Sequence, residues 1–230
     1  YHITRDNPNE ETTRLSAHHK FGTISIRETY WAIQDKLTGK SKELLTRQLF
    51  WRDFYYNVSL QYPHVYNASF LKKYNKILWS NNKEFFEKWC IGETGYPIVD
   101  AGMRQLNTTG RMHNRLRMIV ASFLTKDLLI NWKWGEKYFA QKLVDYDPSQ
   151  NNGGWHWAAG TGTDAQPYFR IFNPWTQSKK FDPKGEYIKK YVPELTDIDP
   201  KYLHIEGGID IEKYPKPIVK HSEQRLKALD

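Results

Sequence analysis

The chain has one cysteine, Cys90, among its 230 residues. No internal disulfide can form, and no metal site can be built on paired thiolates. A chain of this length buries enough core to fold without such staples. Its eight histidines show neither the H-E-x-x-H pattern nor paired Cys/His spacing, so no metal is expected. No apolar run reaches the length of a membrane span, and no secretory leader opens the chain. An intracellular protein, in cytoplasm or nucleus, is therefore expected, not secreted and with no membrane partner. The initiating methionine is also missing, and a domain cut from something longer is expected. Neither G-x-G-x-x-G nor G-x-x-x-x-G-K-[ST] occurs, which excludes the two commonest nucleotide loops. Strand-like alternation is weak, and no internal repeat argues for a solenoid.

Acidic residues are the minority. There are 26 Asp and Glu against 34 Lys and Arg, with a net charge of +8 and a pI near 9.3. This balance favours polyanionic partners, nucleic acid before acidic membrane. Between Ala101 and Trp134 the bases Arg104, Arg111, Arg115, Arg117, Lys126 and Lys133 face Asp127 alone. They are interleaved with Trp, Asn and His, a mixture suited to holding phosphates and stacking bases. A merely solvated helix face is the plainer alternative.

Hydrophobic spacing predicts an all-α chain. Helices are expected over 28–37 and 42–61, with Leu45, Leu49, Phe50 and Phe54 on one side of the second. Others are expected over 82–89, 96–107, 112–130 and 134–144. Pro97 suits a first turn. In the helix over 112–130, Leu116, Ile119, Val120, Phe123 and Leu124 form the core stripe, while Asn114, Arg117 and Met118 share another face. The stretch 145–177 reads as a long loop, and 196–230 as an irregular tail packed on the rest.

Four segments have the residue types of a binding site. Within 151–177, Asn151, Asn152, four glycines, Trp155, His156, Trp157 and Trp175 occur with little periodicity. Glycines permit close backbone approach, and indoles offer flat polarisable surface; a buried loop with core tryptophans is the plain alternative. Thr12-Thr13-Arg14-Leu15-Ser16 suits a phosphate, or is an N-cap cluster. Trp51 and Arg52 within 48–56 stack and clamp, or belong to an aromatic core helix. The third segment, 111–117, carries Arg111, Arg115 and Arg117. Asp145 and Asp147 open the fourth as an acid/base pair, a metal pair, or loop and cap acids.

Together these segments resemble one family, the photolyase/cryptochrome flavoproteins, and specifically their helical FAD-binding half. TGYPIVDAGMRQLNTTGRMHNRLRM (94–118) is similar to that family's central helix pair. DYDPSQNNGGWHWAAGTGTDAQPYFRIFNPWTQ (145–177) is similar to its flavin loop, and TTRLS (12–16) to its phosphate-binding segment. The resemblance covers 1–195 and weakens in the tail. It implies a compact multi-helix FAD-binding domain with a long aromatic, Gly-rich flavin loop. The family's N-terminal α/β antenna domain, and with it an antenna pigment site, is not expected within this chain.

The resemblance assigns roles by position. Tyr1, Thr12, Thr13, Arg14, Leu15, Ser16, Arg52, Arg117, Asp145, Asp147 and Asn151 would hold FAD, which is active in its reduced form. Arg117 would pair with Asp145 beside the flavin, and Asn151 would face its reactive ring nitrogen. Trp155, Trp132 and Trp79 would relay electrons from flavin to surface. Damaged DNA with a flipped-out pyrimidine dimer is the implied partner. Trp51, Tyr55, Asn114, Arg115, Met118 and Trp157 would meet the lesion. Arg5, Arg115, Gln177 and Lys180 would contact phosphates. Gln48 stands where cyclobutane-dimer enzymes usually have Glu, and Arg111 where a pocket-edge Trp is common. Both departures bear on repair efficiency. The implied activity is light-driven repair of cyclobutane pyrimidine dimers, that of a deoxyribodipyrimidine photo-lyase. The alternatives are a cryptochrome-like photoreceptor or non-repairing remnant, (6-4) photoproduct repair, and a flavin-free basic DNA-binding module. A monomer is expected, with a separate N-terminal α/β domain left open as a partner.

Overall fold

The computed structural model describes residues 1–163 and 170–229. Among them are eleven α-helices and no strand. The all-α expectation holds.

Helix starts follow local chemistry. Ser25 and Glu28 form a reciprocal capping box on α2 (Ile26–Lys36). Asn82 caps α4 (Lys83–Ile91), and Pro97 opens α5 (Pro97–Thr109). His113 caps α6 (Asn114–Ser122), and Asn131 caps α7 (Trp132–Lys142). Two short helices complete the N-terminal and C-terminal parts: α1 (Leu15–Phe21) and α10 (Glu186–Tyr191).

α5 is the hub. Pro97 to Met103 and Leu106 are all buried, and the helix packs against α4, α6, α10 and α9 (Pro174–Phe181). Gly102 lets α6 approach, since a Cβ there would lie 3.0 Å from Val120. The expected stripe of Leu116, Ile119, Val120, Phe123 and Leu124 is fully buried. The helix over 112–130 is not continuous, however. It passes into a π-turn at Phe123–Asp127, and Leu129 adopts φ 53° before α7 begins. Such a turn re-aims the chain within a packed core.

Two other expectations fail. On α3 (Gly39–Gln61) the buried residues are Leu44, Leu49 and Ser59, while Phe50 is 61% exposed and Phe54 37% exposed. Aromatics occur all round this helix, so periodicity misplaced its core face. The stretch 145–177 is not a loop throughout: α8 (Pro148–Ala159) and α9 lie within it. Asp147 caps α8 with Pro148 in the first turn, and Asn173 caps α9 with Pro174 there. The glycines of α8 oppose helix formation by about 1 kcal/mol each. Burial of Asn152, Trp155, His156, Ala158 and Ala159 offsets this. The part of the expected flavin loop at 164–169 lies outside the described residues.

The tail is tied down. Tyr214 donates to Asp100 at 2.5 Å, Tyr96 donates to Val219 O at 2.8 Å, and His221, at the start of α11 (His221–Lys227), meets buried Asp127 at 2.5 Å. α8 packs against α3, α6 and α7, and that arrangement builds the site.

Candidate functional site

Two joined cavities, of about 440 and 390 Å³, lie along α8. Gln48, Asn114, Arg117, Asp145, Asp147 and Gln150 line both. Each cavity falls in the range typical of small-molecule and cofactor sites.

The first cavity brings together Trp51 and Tyr55 from α3, Met118 from α6, and Asn151, Trp155 and Trp157 from α8. α8 fits here because of its glycines. A Cβ on Gly153 would fall 2.2 Å from the Tyr55 ring. Gly154 lines the cavity, and a Cβ there would meet nothing within 4 Å. Trp155 seats its ring edge over Gly135 of α7, where any Cβ would lie 2.1 Å away. Trp51 stacks on Tyr55, centroids 5.9 Å apart, and Trp157 packs edge-on against Phe172.

The second cavity is lined by Tyr1, Arg5, Arg52 and the whole of Thr12–Ser16. The N-cap reading of that cluster fails. Arg14 occupies the cap position of α1 with φ 51°, and no side chain caps the helix. Arg14 instead pairs with exposed Glu11.

Arg117 and Asp145 join the two halves. One guanidinium nitrogen of Arg117 donates to both Asp145 oxygens, at 3.0 and 2.9 Å, and Arg117 Nε donates to Met112 O. Burial pushes the Asp145 carboxyl up, but Arg117 and a hydrogen bond from Ser16 outweigh it and hold the group below its ordinary value. Asp147 differs. Its oxygens accept from Gln150 N, as the α8 cap, and from Tyr56 OH. Burial and that carboxylate push the Tyr56 phenol up to about 12. Asp147 is thus a cap acid as well as a cavity residue.

Asn151 Nδ2 donates to Glu136 O at 3.1 Å and to Glu136 Oε1 at 3.0 Å. Both amide hydrogens are thereby engaged, which leaves the amide oxygen as the group able to meet a ligand. Burial raises the Glu136 carboxyl. Glu136, Gln150 and Tyr56 escaped the reading of the sequence. Glu136 lies on another helix, and no local spacing links it to Asn151.

Trp155 is buried between Phe139 and Trp89, at 5.0 and 6.1 Å. Trp132 is buried with its ring 4.2 Å from that of His156, and Trp79 is half-buried against the core. Arg115 does not line the cleft. It pairs with Asp6 at 2.7 Å and lies over the Phe181 ring of α9. Gln177 and Lys180 are on α9 and line neither cavity. Arg111 lines a smaller adjoining pocket of about 180 Å³ with Gln105, Lys190 and Tyr191, and that pocket shares Thr12, Arg14, Ser16, Arg117 and Asp145 with the second cavity. Gln48 lines both cavities, and its Nε2 donates back to Leu44 O.

The fold and cleft define a helical domain that holds an extended, partly anionic, partly aromatic ligand. The model of the FAD binding domain of DNA photolyase matches residues 44–230, and the chain belongs to that family. The deoxyribodipyrimidine photo-lyase of Alkalihalophilus pseudofirmus is 49% identical over 242 aligned positions, covering 100% of this chain and 50% of that protein. A class III photolyase from Agrobacterium tumefaciens superposes with a TM-score of 0.94 at 41% identity, over 100% of this chain and 51% of that one. An archaeal photolyase from Sulfolobus tokodaii, solved with two FAD molecules, gives 0.93 at 47%, over 100% and 52%. The chain therefore spans about half the length of the relatives it matches. FAD is the cofactor the family is named for, and the residues present fit it. The floor is clear at Gly154, a cation–carboxylate pair sits between the cavities, and a hydroxyl-rich segment lines the outer one.

Proposed function

We propose that this chain is the FAD-binding part of a light-driven DNA repair enzyme acting on cyclobutane pyrimidine dimers. The observation that carries this reading is the joined cleft, polar at one end and walled by indoles at the other. When bound, reduced FAD would supply the light-excited electron that opens the dimer. The chain's own residues hold, orient and exclude water. Thr12 to Ser16, with Tyr1 and Arg52, hold the phosphate-bearing end. Arg117 and Asp145 flank the ring system, where the guanidinium favours negative charge. Asn151 presents its amide oxygen to the ring. Trp51 and Trp157 pack against the flipped-out dimer, with Tyr55, Asn114 and Met118 beside them. Trp155, Trp132 and Trp79 form the relay to the surface.

Arg5, Gln177 and Lys180 are proposed as phosphate contacts. Arg115 reaches a phosphate only by leaving Asp6, and its primary role is to tie the N-terminal segment to α9. Residues 1–195 form the cofactor-binding unit and 196–230 brace it. The protein works inside the cell as a monomer, alongside an α/β domain of the kind its longer relatives have room for. No helix among the described residues is long and apolar enough to cross a membrane.

The test is repair of an oligonucleotide bearing one thymine cyclobutane dimer, by FAD-loaded and chemically reduced protein under blue light. Light-dependent return of intact thymines supports the reading. Full FAD loading without repair counts against it and favours a (6-4) lesion or a signalling role, to which Gln48 would then point. In that case Gln48→Glu decides between a weakened cyclobutane enzyme and a different function.

A further inference from the structure

The segment leading to Trp79 has a charge pattern of its own. From Phe54 to Lys83 there is no Asp or Glu. Lys72, Lys73, Lys76 and Lys83 are all exposed, and Lys133 is exposed nearby at the start of α7. None of the five forms an ion pair with a described carboxylate. Inside this basic segment lies an apolar tip: Leu78 is 96% exposed and Ile77 37%. Trp79 follows directly, half-buried, with its inner side against the core.

The tip is pinned to the α6–α7 connection. Ser80 N donates to Leu129 O at 2.7 Å, and Asn131 N donates to Asn81 Oδ1 at 2.9 Å. Asn131 in turn caps α7 at Trp132. The middle indole of the proposed relay thus begins the helix on which this segment is fastened. Lys133 Nζ donates to Asn67 O, binding the same turn to the chain before the lysines.

We propose that this lysine-flanked tip docks an acidic one-electron carrier protein that delivers its electron to Trp79. The proposal rests on the relay reading above. In the step, a Trp79 indole that has lost one electron inward through Trp132 regains one from the carrier. The carrier is oxidised by one electron, and the indole returns to its closed-shell state. No bond forms or breaks, and no proton passes between the proteins. The oxidant at the inner end is the light-excited oxidised flavin.

Three observations favour a carrier over nucleic acid. Every fixed cation in the segment is Lys, with no Arg fork to grip phosphate in two places. The centre is aliphatic and not a stacking platform. None of these residues lines the cleft. Small patches of one charge sign suit brief, electrostatically steered encounters of the electron-transfer kind.

The test uses an acidic, flavodoxin-type FMN protein as the probe. Its binding to the chain without FAD is measured first, then its rate as reductant in photoreduction of the FAD-loaded chain. Parent, Lys72→Glu/Lys73→Glu/Lys76→Glu, Leu78→Ser and Trp79→Phe are compared, with dithiothreitol as an uncharged donor. The triple variant is expected to weaken probe binding and slow the probe-driven rate by about tenfold or more at low salt. Its rate with dithiothreitol stays at the parent value. Leu78→Ser weakens binding less. Parental binding and rate in the triple variant overturn the proposal. So does a triple variant that loses duplex DNA affinity while keeping its probe rate, which makes the patch a nucleic-acid surface. If Trp79→Phe photoreduces normally with dithiothreitol, the relay reading has failed, and the binding measurement still judges the patch.

Discussion

Replacing Gly154 with alanine should make the protein more stable and its cofactor site worse. In an ordinary helix interior, Gly→Ala gains about 0.5–1 kcal/mol, because alanine has less backbone freedom to lose. Gly154 meets the conditions for that gain. It lies inside α8, its φ is outside the left-handed region, and a Cβ would meet no atom within 4 Å. A domain of this size moves about 2–4 °C in Tm per kcal/mol, so the unloaded variant should melt about 1–4 °C higher. The empty space is the cavity itself, however. A methyl group in a wall that must fit a flat ring costs about 1–3 kcal/mol of overpacking. That corresponds to FAD binding weaker by roughly 5- to 150-fold.

The assay is a pair of measurements on one variant: a thermal melt without FAD, and a titration with FAD read by flavin absorbance or fluorescence quenching. Gly153→Ala and Gly135→Ala are the controls. Their Cβ atoms would collide with Tyr55 and Trp155, so both should lower Tm without added ligand. A Gly154→Ala protein that is less stable when unloaded would show that its Cβ meets packed atoms. Raised Tm with unchanged FAD affinity would show that the cofactor does not lie over this part of α8. Either result refutes the reasoning, at a different step.

Three further outcomes are expected. Asp145 is held below the ordinary carboxylate value, so its stabilisation is full above that value and is lost as pH falls through the lower folded one. Asp145→Asn should therefore be less stable near neutral pH but lose less stability below about pH 4, as acid denaturation midpoints will show. Asn151→Asp places a second carboxylate where Nδ2 now lies 3.0 Å from Glu136 Oε1. One of the two acids should then take up a proton near neutral pH, lowering the variant's stability as pH rises; a parental pH–stability profile excludes this. Trp132→Phe should slow light-driven reduction of oxidised FAD and leave repair by chemically reduced protein unchanged. Equal photoreduction in variant and parent removes Trp132 from the relay.

Residue chemistry showed more of this protein than helix periodicity did. The cleft-lining residues were legible because they are costly choices anywhere else. Glycines within a helix, a cation beside paired acids and indoles beside amides need a reason. The cleft brings together Thr12 to Ser16, Trp51, Asn114, Arg117, Asp145, Asn151 and Trp157. Periodicity failed where side chains serve both core and cleft. α3 has aromatics on several faces because Trp51 and Tyr55 must reach the cavity while Leu44 and Leu49 face inward. α8 looked like a loop because Gly153 and Gly154 lower its helix propensity. Its start was nevertheless written in Asp147-Pro148, as the start of α9 was in Asn173-Pro174. A cap residue followed by proline is evidence for a helix that composition can hide.

What remained illegible is the pairing of side chains across helices. Glu136 and Asn151 are joined only because α7 packs on α8, and α7 can come that close only because residue 135 is glycine beneath the Trp155 ring. The same contact therefore seats the Trp155 indole and fixes the Asn151 amide, the two groups proposed as inner relay and flavin contact. Widening that helix spacing at Gly135 should disturb both together, whereas Gly154→Ala should leave both contacts in place.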